Sequence, residues 1–354
     1  MSMPVPSRLA GILVVLLSIV LGLAGCDTHA PVSRGHIDAF GTTIDLTLIG
    51  VNRRRAAEIS QTLQTDLERM ESAWHAWDAG PLTRVNTLIN AESPPFAAPP
   101  SLLPLLRLSK SLSEQSEGLF NPAIGHLFKA WGFHGRPAEC LQPAPQEIID
   151  EVLAAAPSMR DIEIDGFRLS SKNPLVKLDF RGIQKGFAID QAIARLQDLG
   201  IQNASVNAGG DLRAIGSRDG HPWSVAIRGA GGGSIFATLK ISGNEAAFTT
   251  DRYEHRFSWE GENYHDIIDP RTGYPAKGTR SVTVLHPNAS TADAAATALF
   301  IAGPDDWHRV AKKMGIRYVI LTDSTGNVHM NPAMQARVKL QNSSHKVIIS
   351  KPLA

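Results

Sequence analysis

Leu178-Asp179-Phe180-Arg181-Gly182-Ile183-Gln184-Lys185-Gly186-Phe187-Ala188-Ile189-Asp190 is the stretch around which the chain is organised. Leu175, Val176 and Leu178 form an apolar run that reads as a buried strand. Gly182 and Gly186 follow, and glycines in a turn let the backbone approach a ligand closely. Ile189, Ile193 and Leu196 then recur at helical spacing, with Gln191 and Arg195 turned outward. A strand that ends in glycines and feeds a helix start exposes unpaired N–H groups, which attract anions. Asp179 and Lys185 flank that turn. An ordinary strand–helix joint with a surface lysine has the same pattern, so this stretch alone does not name a ligand.

C-terminal to it, Ala204 to Leu212 reads as strand, glycine turn and strand, and short strands are expected at 223–228, 235–241, 246–250, 253–259 and 281–285. A helix capped by Ser290 or Thr291 follows, then a second from Pro304 to Met314 and a strand from Tyr318 to Thr322. N-terminal to it, a strand is expected from Thr43 to Gly50 and a helix from Ala56 to Met70, with Ile59, Leu63 and Leu67 on one face. Trp74 and Trp77 precede a turn at Asp78–Pro81; such aromatics serve a core or stack on a flat ring. Helices are expected at 102–116 and 147–155, and strands at 162–169 and 175–180. Helices and strands intermix with many hairpin-like returns, which predicts an α+β fold with mixed and antiparallel sheets and packed helices. No linker splits residues 38–340; residues 26–37 read as a tether and 341–354 as a tail.

Of 354 residues, 43% are apolar and the formal net charge is +1, a composition that excludes wholesale disorder and offers no basic surface for nucleic acid. Residues 1–25 read as an export signal: Arg8, an apolar run from Leu9 to Leu21, then Leu23-Ala24-Gly25 before Cys26. The run is shorter than the ~20 residues a spanning helix needs. Cys140 is the only other cysteine, so with Cys26 modified no intramolecular disulfide forms and the fold must rest on its core.

Asp293 and Thr297 are four residues apart and share a helix face. A carboxylate and a hydroxyl are hard oxygen ligands that suit Mg²⁺, which keeps several waters and needs few protein ligands. A first-turn aspartate also serves simply as a dipole-favoured residue. No Walker loop, Rossmann fingerprint, nucleophile elbow or paired-histidine zinc motif occurs. His265 beside Asp266 offers an acid–base unit, although neighbours on a strand point to opposite faces.

In combination these segments resemble the ApbE family of FAD:protein FMN transferases. The resemblance rests on Phe120-Asn121-Pro122-Ala123-Ile124-Gly125 with Trp131-Gly132-Phe133, Asp179 to Asp190, Asn207 to Asp211, Ile267 to Gly273, and Thr291 to Leu299. It runs from Gly41 to Gly303. It implies a single catalytic domain with FAD in a central cleft. It also implies Mg²⁺-dependent transfer of FMN to a threonine or serine of an exported or membrane flavoprotein, with release of AMP. The acceptor would be a subunit of a membrane redox complex or a related exported protein. Mg²⁺-dependent hydrolysis of FAD to FMN and AMP is the nearest alternative, and a non-catalytic FAD-binding protein the next.

By the same resemblance the metal ligands are the Gly182 carbonyl, Asp293 and Thr297, and the flavin or adenine contacts are Asn121, Pro122, Ala123, Asp179, Lys185 and the Ile267-Ile268 backbone, with Trp77 against a ring. The Leu-Ala-Gly-Cys ending resembles a bacterial lipoprotein box. That implies a lipid anchor on Cys26 at the periplasmic side of the cell inner membrane, with Asp27 as the retention residue. Three positions depart from the family pattern. Ala296 stands where some members carry a second aspartate, Thr250-Asp251-Arg252-Tyr253 replaces a Ser-Gly-Asp-Tyr run, and Asp266 replaces a histidine before Ile-Ile-Asp-Pro. The acid–base role expected of that histidine passes to His265 or Asp266, or is lost.

Overall fold

The computed structural model describes residues 30–135, 142–229, 234–241, 243–253, 255–341 and 345–353. The expected export signal and Cys26 lie outside them, as does Cys140. No helix among the described residues is long and apolar enough to cross a membrane.

Nine strands form the main sheet: β1 (Val32–Ala39), β2 (Thr42–Ile49), β6 (Ala204–Ala208), β7 (Asp211–Ile215), β10 (Glu245–Asp251), β13 (Thr279–His286), β14 (Tyr318–Asp323), β15 (Val328–Met330) and β17 (Val347–Ile349). They lie in the order β1-β2-β6-β7-β10-β13-β14-β15-β17. Every neighbouring pair is antiparallel except β15 with β17. Three smaller sheets comprise β3 (Phe96–Ala97), β5 (Arg168–Ser171) and β4 (Ile162–Asp165); β8 (Trp223–Arg228), β9 (Ile235–Ile241) and β16 (Val338–Leu340); and the hairpin of β11 (Arg256–Trp259) and β12 (Glu262–His265). The helices are α1 (Arg53–Trp74), α2 (Pro81–Asn90), α3 (Leu103–Gln115), α4 (Gly125–Ala130), α5 (Gln146–Ala155), α6 (Gln184–Asp198), α7 (Ala289–Lys313) and α8 (Pro332–Gln335). The expected α+β class, with mixed sheets and packed helices, is what the chain adopts.

Alternation along the central strands sorts their side chains onto two faces. Ala246, Phe248, Val282, Val284, Val319 and Leu321 join the core shared with α1, α6 and α7. Ala247, Leu285 and Ile320 point the other way, into a core closed by β8 and β9 through Trp223, Val225, Ile227 and Leu239. A third cluster of Leu127, Trp131, Ile149, Phe257 and Ile268 supports the β11–β12 hairpin.

α6 and α7 can cross closely because their contact residues are small. Ala292, Ala294, Ala295, Ala296 and Ala298 are completely buried. A Cβ on Gly186 would lie 2.5 Å from the Ala289 carbonyl oxygen and 2.8 Å from the Asp293 Cβ, so only glycine fits there. Asp190, one turn further along α6, accepts the Ala289 N–H at 2.8 Å and the Ser290 N–H at 2.9 Å. These are unpaired first-turn groups of α7, so one helix caps the other. α7 itself breaks at Gly303, where φ is 75°, and restarts at Pro304, which is the division into two helices that the sequence predicts.

Several boundaries differ from expectation. The segment expected as a tether already forms β1 from Val32, paired with β2 from Val32↔Ile49 to Ala39↔Thr42. The expected C-terminal tail contributes β17, which extends the main sheet beside β15. Residues 175–180 are extended but make only an isolated bridge, Lys177 to Ile124; Asn86 bonds the Leu178 N–H and carbonyl instead of a neighbouring strand. The 162–169 strand is the β4–β5 hairpin. α7 starts at Ala289 after Asn288, so Ser290 and Thr291 lie inside it and Asp293 is beyond its first turn.

Candidate active site

The Asp179–Gly186 turn, the loop before α4, the far end of β10 and the β11–β12 hairpin converge on one cleft of about 990 Å³. That is the top of the range for small-molecule sites, ~300–1,000 Å³, and has room for a dinucleotide-sized ligand. Trp77, Asn121, Pro122, Asp179, Gly182, Lys185, Asp266, Ile267, Ile268, Asp293 and Thr297 all line it.

The floor is made where α6 meets α7. Gly182 sits against Thr297: a Cβ there would be 3.2 Å from Thr297 Oγ1 and 3.5 Å from the Phe120 ring. Asp293 is buried and accepts the Gly186 N–H at 2.9 Å. The α6 start expected to receive a ligand anion is thus partly occupied by a side-chain carboxylate. Asp211, also buried, accepts the Thr249 N–H at 2.8 Å and pairs with Lys185 at 2.8 Å. Burial, and after it the negative charge of Asp211, push the Asp293 carboxyl up to about 7; Lys185 and the Gly186 N–H pull it the other way. A buried carboxylate under that much strain calls for a counter-charge. The oxygens gathered there, from Asp293, Thr297 and the backbone, fit a hard divalent cation. Among the described residues no group of three or more His, Cys, Asp or Glu forms a metal cluster, so such an ion would keep waters or lean on its ligand.

The wall is made by Trp77. Its indole N–H donates to Asp179 Oδ2 at 3.2 Å, Lys177 Nζ lies 4.5 Å from its ring centroid, and His134 packs 5.2 Å away. Asp179 also accepts from the Arg181 backbone N–H at 3.0 Å and from its guanidinium at 3.2 and 2.8 Å. Burial pushes the Asp179 carboxyl up. The charge and hydrogen bonds of Arg181, with the Trp77 bond, outweigh that and hold it below the usual carboxylate range. Expected as a flavin contact, Asp179 is instead largely committed to locking Trp77 and Arg181.

Three other expected contacts are also committed elsewhere. Ala123 is fully buried and does not line the cleft; its N–H goes to Asn121 Oδ1 at 3.1 Å and its carbonyl to the Lys177 N–H at 3.0 Å. The Asn121 amide donates to the Pro157 carbonyl at 2.9 Å. The Ile267 carbonyl accepts the Ala276 N–H at 2.9 Å, so its backbone faces the protein.

His265 is turned away from the cleft. Nδ1 accepts the Ile267 N–H at 3.3 Å, which leaves Nε2 to donate to the Ala276 carbonyl at 3.0 Å. Burial pushes its pKa down to about 4, against the bond to Ala276 and with help from the Arg252 charge. With both nitrogens engaged it has none for a ligand, which corrects the acid–base role expected of it. Asp266 does line the cleft, 3.6 Å from Arg181 Nη1.

Arg181 and Asp211 also belong to the site, as partners of Asp179, Asp266 and Lys185, and the sequence motifs assign neither a role. Arg181 is a charge between Phe180 and Gly182 in the turn, two residues from Asp179, and Asp211 closes the Asn207–Asp211 glycine turn. His255 carried no signal, since only the hairpin register brings it to the cleft.

A family model described as the ApbE family matches residues 40–320. The chain belongs to the ApbE family. Its curated relatives include an FAD:protein FMN transferase of Rhodobacter capsulatus, 38% identical over 85% of this chain and 57% of the relative. The chain therefore spans little more than half of that relative's length. Another, from Vibrio cholerae, is 31% identical over 88% of this chain and 94% of the relative. The fold is that of ApbE proteins of known structure. One from Thermotoga maritima superposes with a TM-score of 0.78 at 28% identity, covering 86% of this chain and 99% of that one. The flavin transferase ApbE of Vibrio cholerae gives 0.73 at 26% identity, covering 87% and 100%.

Proposed function

We propose that this chain is an FAD:protein FMN transferase, which joins FMN from FAD to a threonine or serine hydroxyl of an exported or membrane flavoprotein and releases AMP. The observation that carries the reading is the pairing, in one cleft, of a Trp77-lined wall with an oxygen-lined floor at Asp293 and Thr297. A pyrophosphate-linked dinucleotide needs both: a surface for a flat ring and a place where phosphate charge is neutralised. FAD:protein FMN transferase is also the name borne by the curated relatives in the two bacteria named above.

Asp293, Thr297 and the Gly182 carbonyl are the groups that would hold Mg²⁺, with Asp211 adding negative charge nearby. Bound there, Mg²⁺ would neutralise charge that builds on phosphate oxygens. Lys185, held by Asp211, presents its ammonium to the same cleft and serves the phosphates as a fixed cation. Trp77 orients a ring because Asp179 fixes its indole and Lys177 lies over its face. Arg181 holds Asp179 in its ionised form beside that ring and lies 3.6 Å from Asp266.

The test is to incubate the purified protein with FAD, Mg²⁺ and the apo form of a flavoprotein domain that carries FMN on a threonine. Acceptor mass rising by one FMN, with AMP released in step, supports transfer. Free FMN with AMP supports hydrolysis, and flavin binding without turnover supports a carrier.

The anchor is a further part of this proposal, motivated by Leu23-Ala24-Gly25-Cys26 after the apolar run. Cys26 carries lipid and holds the domain at the periplasmic side of the inner membrane. More than one acyl chain is needed for slow release. Cys26→Ser should shift the protein from the membrane to the soluble fraction; a wild-type Cys26 found unmodified by mass spectrometry sinks this part.

A further inference from the structure

We propose that His255 takes the proton of the acceptor hydroxyl and that Asp266, across the strand pair, orients it; this rests on the transferase reading above. The β11–β12 ladder pairs Arg256 with His265 and Phe257 with Tyr264. It continues one step further, where the Asp266 N–H donates to the His255 carbonyl at 3.2 Å. His255 and Asp266 are therefore cross-strand neighbours, and directly opposed side chains share a face with Cβ atoms ~4.5–5.5 Å apart. The alternation bears this out two residues along, where Phe257 and Tyr264 stack at 5.2 Å. Both His255 and Asp266 line the cleft that holds Asp293 and Thr297 at its floor.

The other histidines at hand already have partners within the protein. His265 has both ring nitrogens in backbone bonds. His75 Nδ1 accepts the Asp78 N–H at 2.9 Å. His134 packs against the Trp77 ring. His255 is exposed at the mouth of the cleft, where a protein acceptor must enter. Asp266 is tethered from behind by Arg181 Nη1 at 3.6 Å, and Arg181 is itself held by Asp179 and lies over the Phe128 ring at 4.1 Å. A carboxylate fixed in this way beside an imidazole sets the ring's orientation and which nitrogen carries the proton. The chain therefore supplies from a neighbouring strand the imidazole that Asp266 displaces from the position before Ile267.

The step balances without a further reactant. The hydroxyl oxygen bonds to the FMN-side phosphorus and its proton passes to the His255 ring. The bridging oxygen leaves with the electron pair as part of AMP, and the proton returns to AMP or to solvent.

The experiment uses His255→Gln and His255→Gly with FAD, Mg²⁺ and the same apo-flavoprotein acceptor. It follows FMN on the acceptor by mass, AMP release, and FAD affinity by flavin fluorescence. General acid–base groups contribute about 10²–10⁴-fold, so the transfer rate should fall by about a hundredfold or more while FAD affinity stays within about threefold. Imidazole added to His255→Gly should restore part of the rate, which a purely structural role would not allow. A variant rate within about threefold of wild type overturns the inference, as does a loss that imidazole leaves untouched. Wild-type protein that binds FAD and transfers nothing overturns the transferase reading and this inference together. Wild-type transfer with an unimpaired His255 variant overturns this inference alone.

Discussion

Asp293→Asn should stabilise the metal-free protein and abolish its response to Mg²⁺. In the folded chain the Asp293 carboxyl is pushed from the ordinary 3.8 to about 7, first by burial and then by Asp211. The sign follows from proton counting. Between those values the unfolded chain has released its proton and the folded chain has kept it, so stability falls as pH rises from about 3.8 to about 7 and is flat above. Each pKa unit is ~1.4 kcal/mol, so at pH 8 the full shift corresponds to about 4 kcal/mol of lost stability. Asparagine keeps the shape and the oxygen that accepts the Gly186 N–H, and it carries no charge to desolvate. At ~2–4 °C per kcal/mol for domains of 150–250 residues, the variant should melt several degrees above wild type at pH 8 in chelator. The gap should close toward pH 4. Mg²⁺ should raise the wild-type melting temperature and leave the variant's unchanged, while its FAD:protein FMN transfer falls steeply. Thr297→Val, which removes one neutral ligand that water can replace, should show a smaller loss. The measurement is thermal unfolding by circular dichroism across pH 4–8, with chelator or with Mg²⁺. A variant that melts below wild type at pH 8, by the ~0.3–1 kcal/mol of a lost helix-dipole contact, and that responds to Mg²⁺ as wild type does, would refute the reasoning.

Three further outcomes can be checked. Gly186→Ala sets a Cβ 2.5 Å from the Ala289 carbonyl oxygen, backbone that moves only if α7 moves, so unfolding should show at least the ~1–3 kcal/mol loss of an overpacked core. Trp77→Ala removes both a ring wall and the indole N–H to Asp179, so FAD affinity by fluorescence titration should fall about tenfold, with Trp77→Phe between the two. His265→Gln should remove an acid-sensitive group. Burial holds the folded pKa at about 4 against 6.5, so wild-type stability is full above about 6.5 and lost as pH falls toward about 4. The glutamine variant should lose less across that window, and its transfer rate per folded molecule should match wild type.

The fold was legible in the sequence wherever a local pattern decided the structure. The 3.6-residue period of Ile59, Leu63 and Leu67 placed α1, and Gly303-Pro304 divided α7 where the backbone does break. The pattern was silent where distant chain completes a unit. Val32–Ala39 and Val347–Ile349 are strands because β2 and β15 offer them edges, and nothing within either segment announces the partner. Residues 175–180 err in the opposite direction. Their apolar run is buried, as expected, but a side chain, Asn86, satisfies Leu178 in place of a second strand. Burial was therefore readable, and pairing was not.

The site divides along the same line. Asp293 and Thr297 could be joined from the sequence because four residues on a helix fix their relation without any other part of the chain. Gly182 and Asp179 could be placed near them because the turn is continuous with α6. His265 and Asp266 could not be told apart in that way. Adjacent residues on a strand face opposite sides, and which of them meets the ligand depends on how the β11–β12 hairpin lies on Trp131 and Phe133. The structure turns His265 toward Ala276 and leaves Asp266 in the cleft. The same register sets His255 opposite Asp266, across a hairpin turn and eleven positions away in sequence. A substitution at the position before Ile267 is thus better judged with its cross-strand neighbour than alone. What looks like a lost histidine along the chain is, across the sheet, a carboxylate with an imidazole beside it.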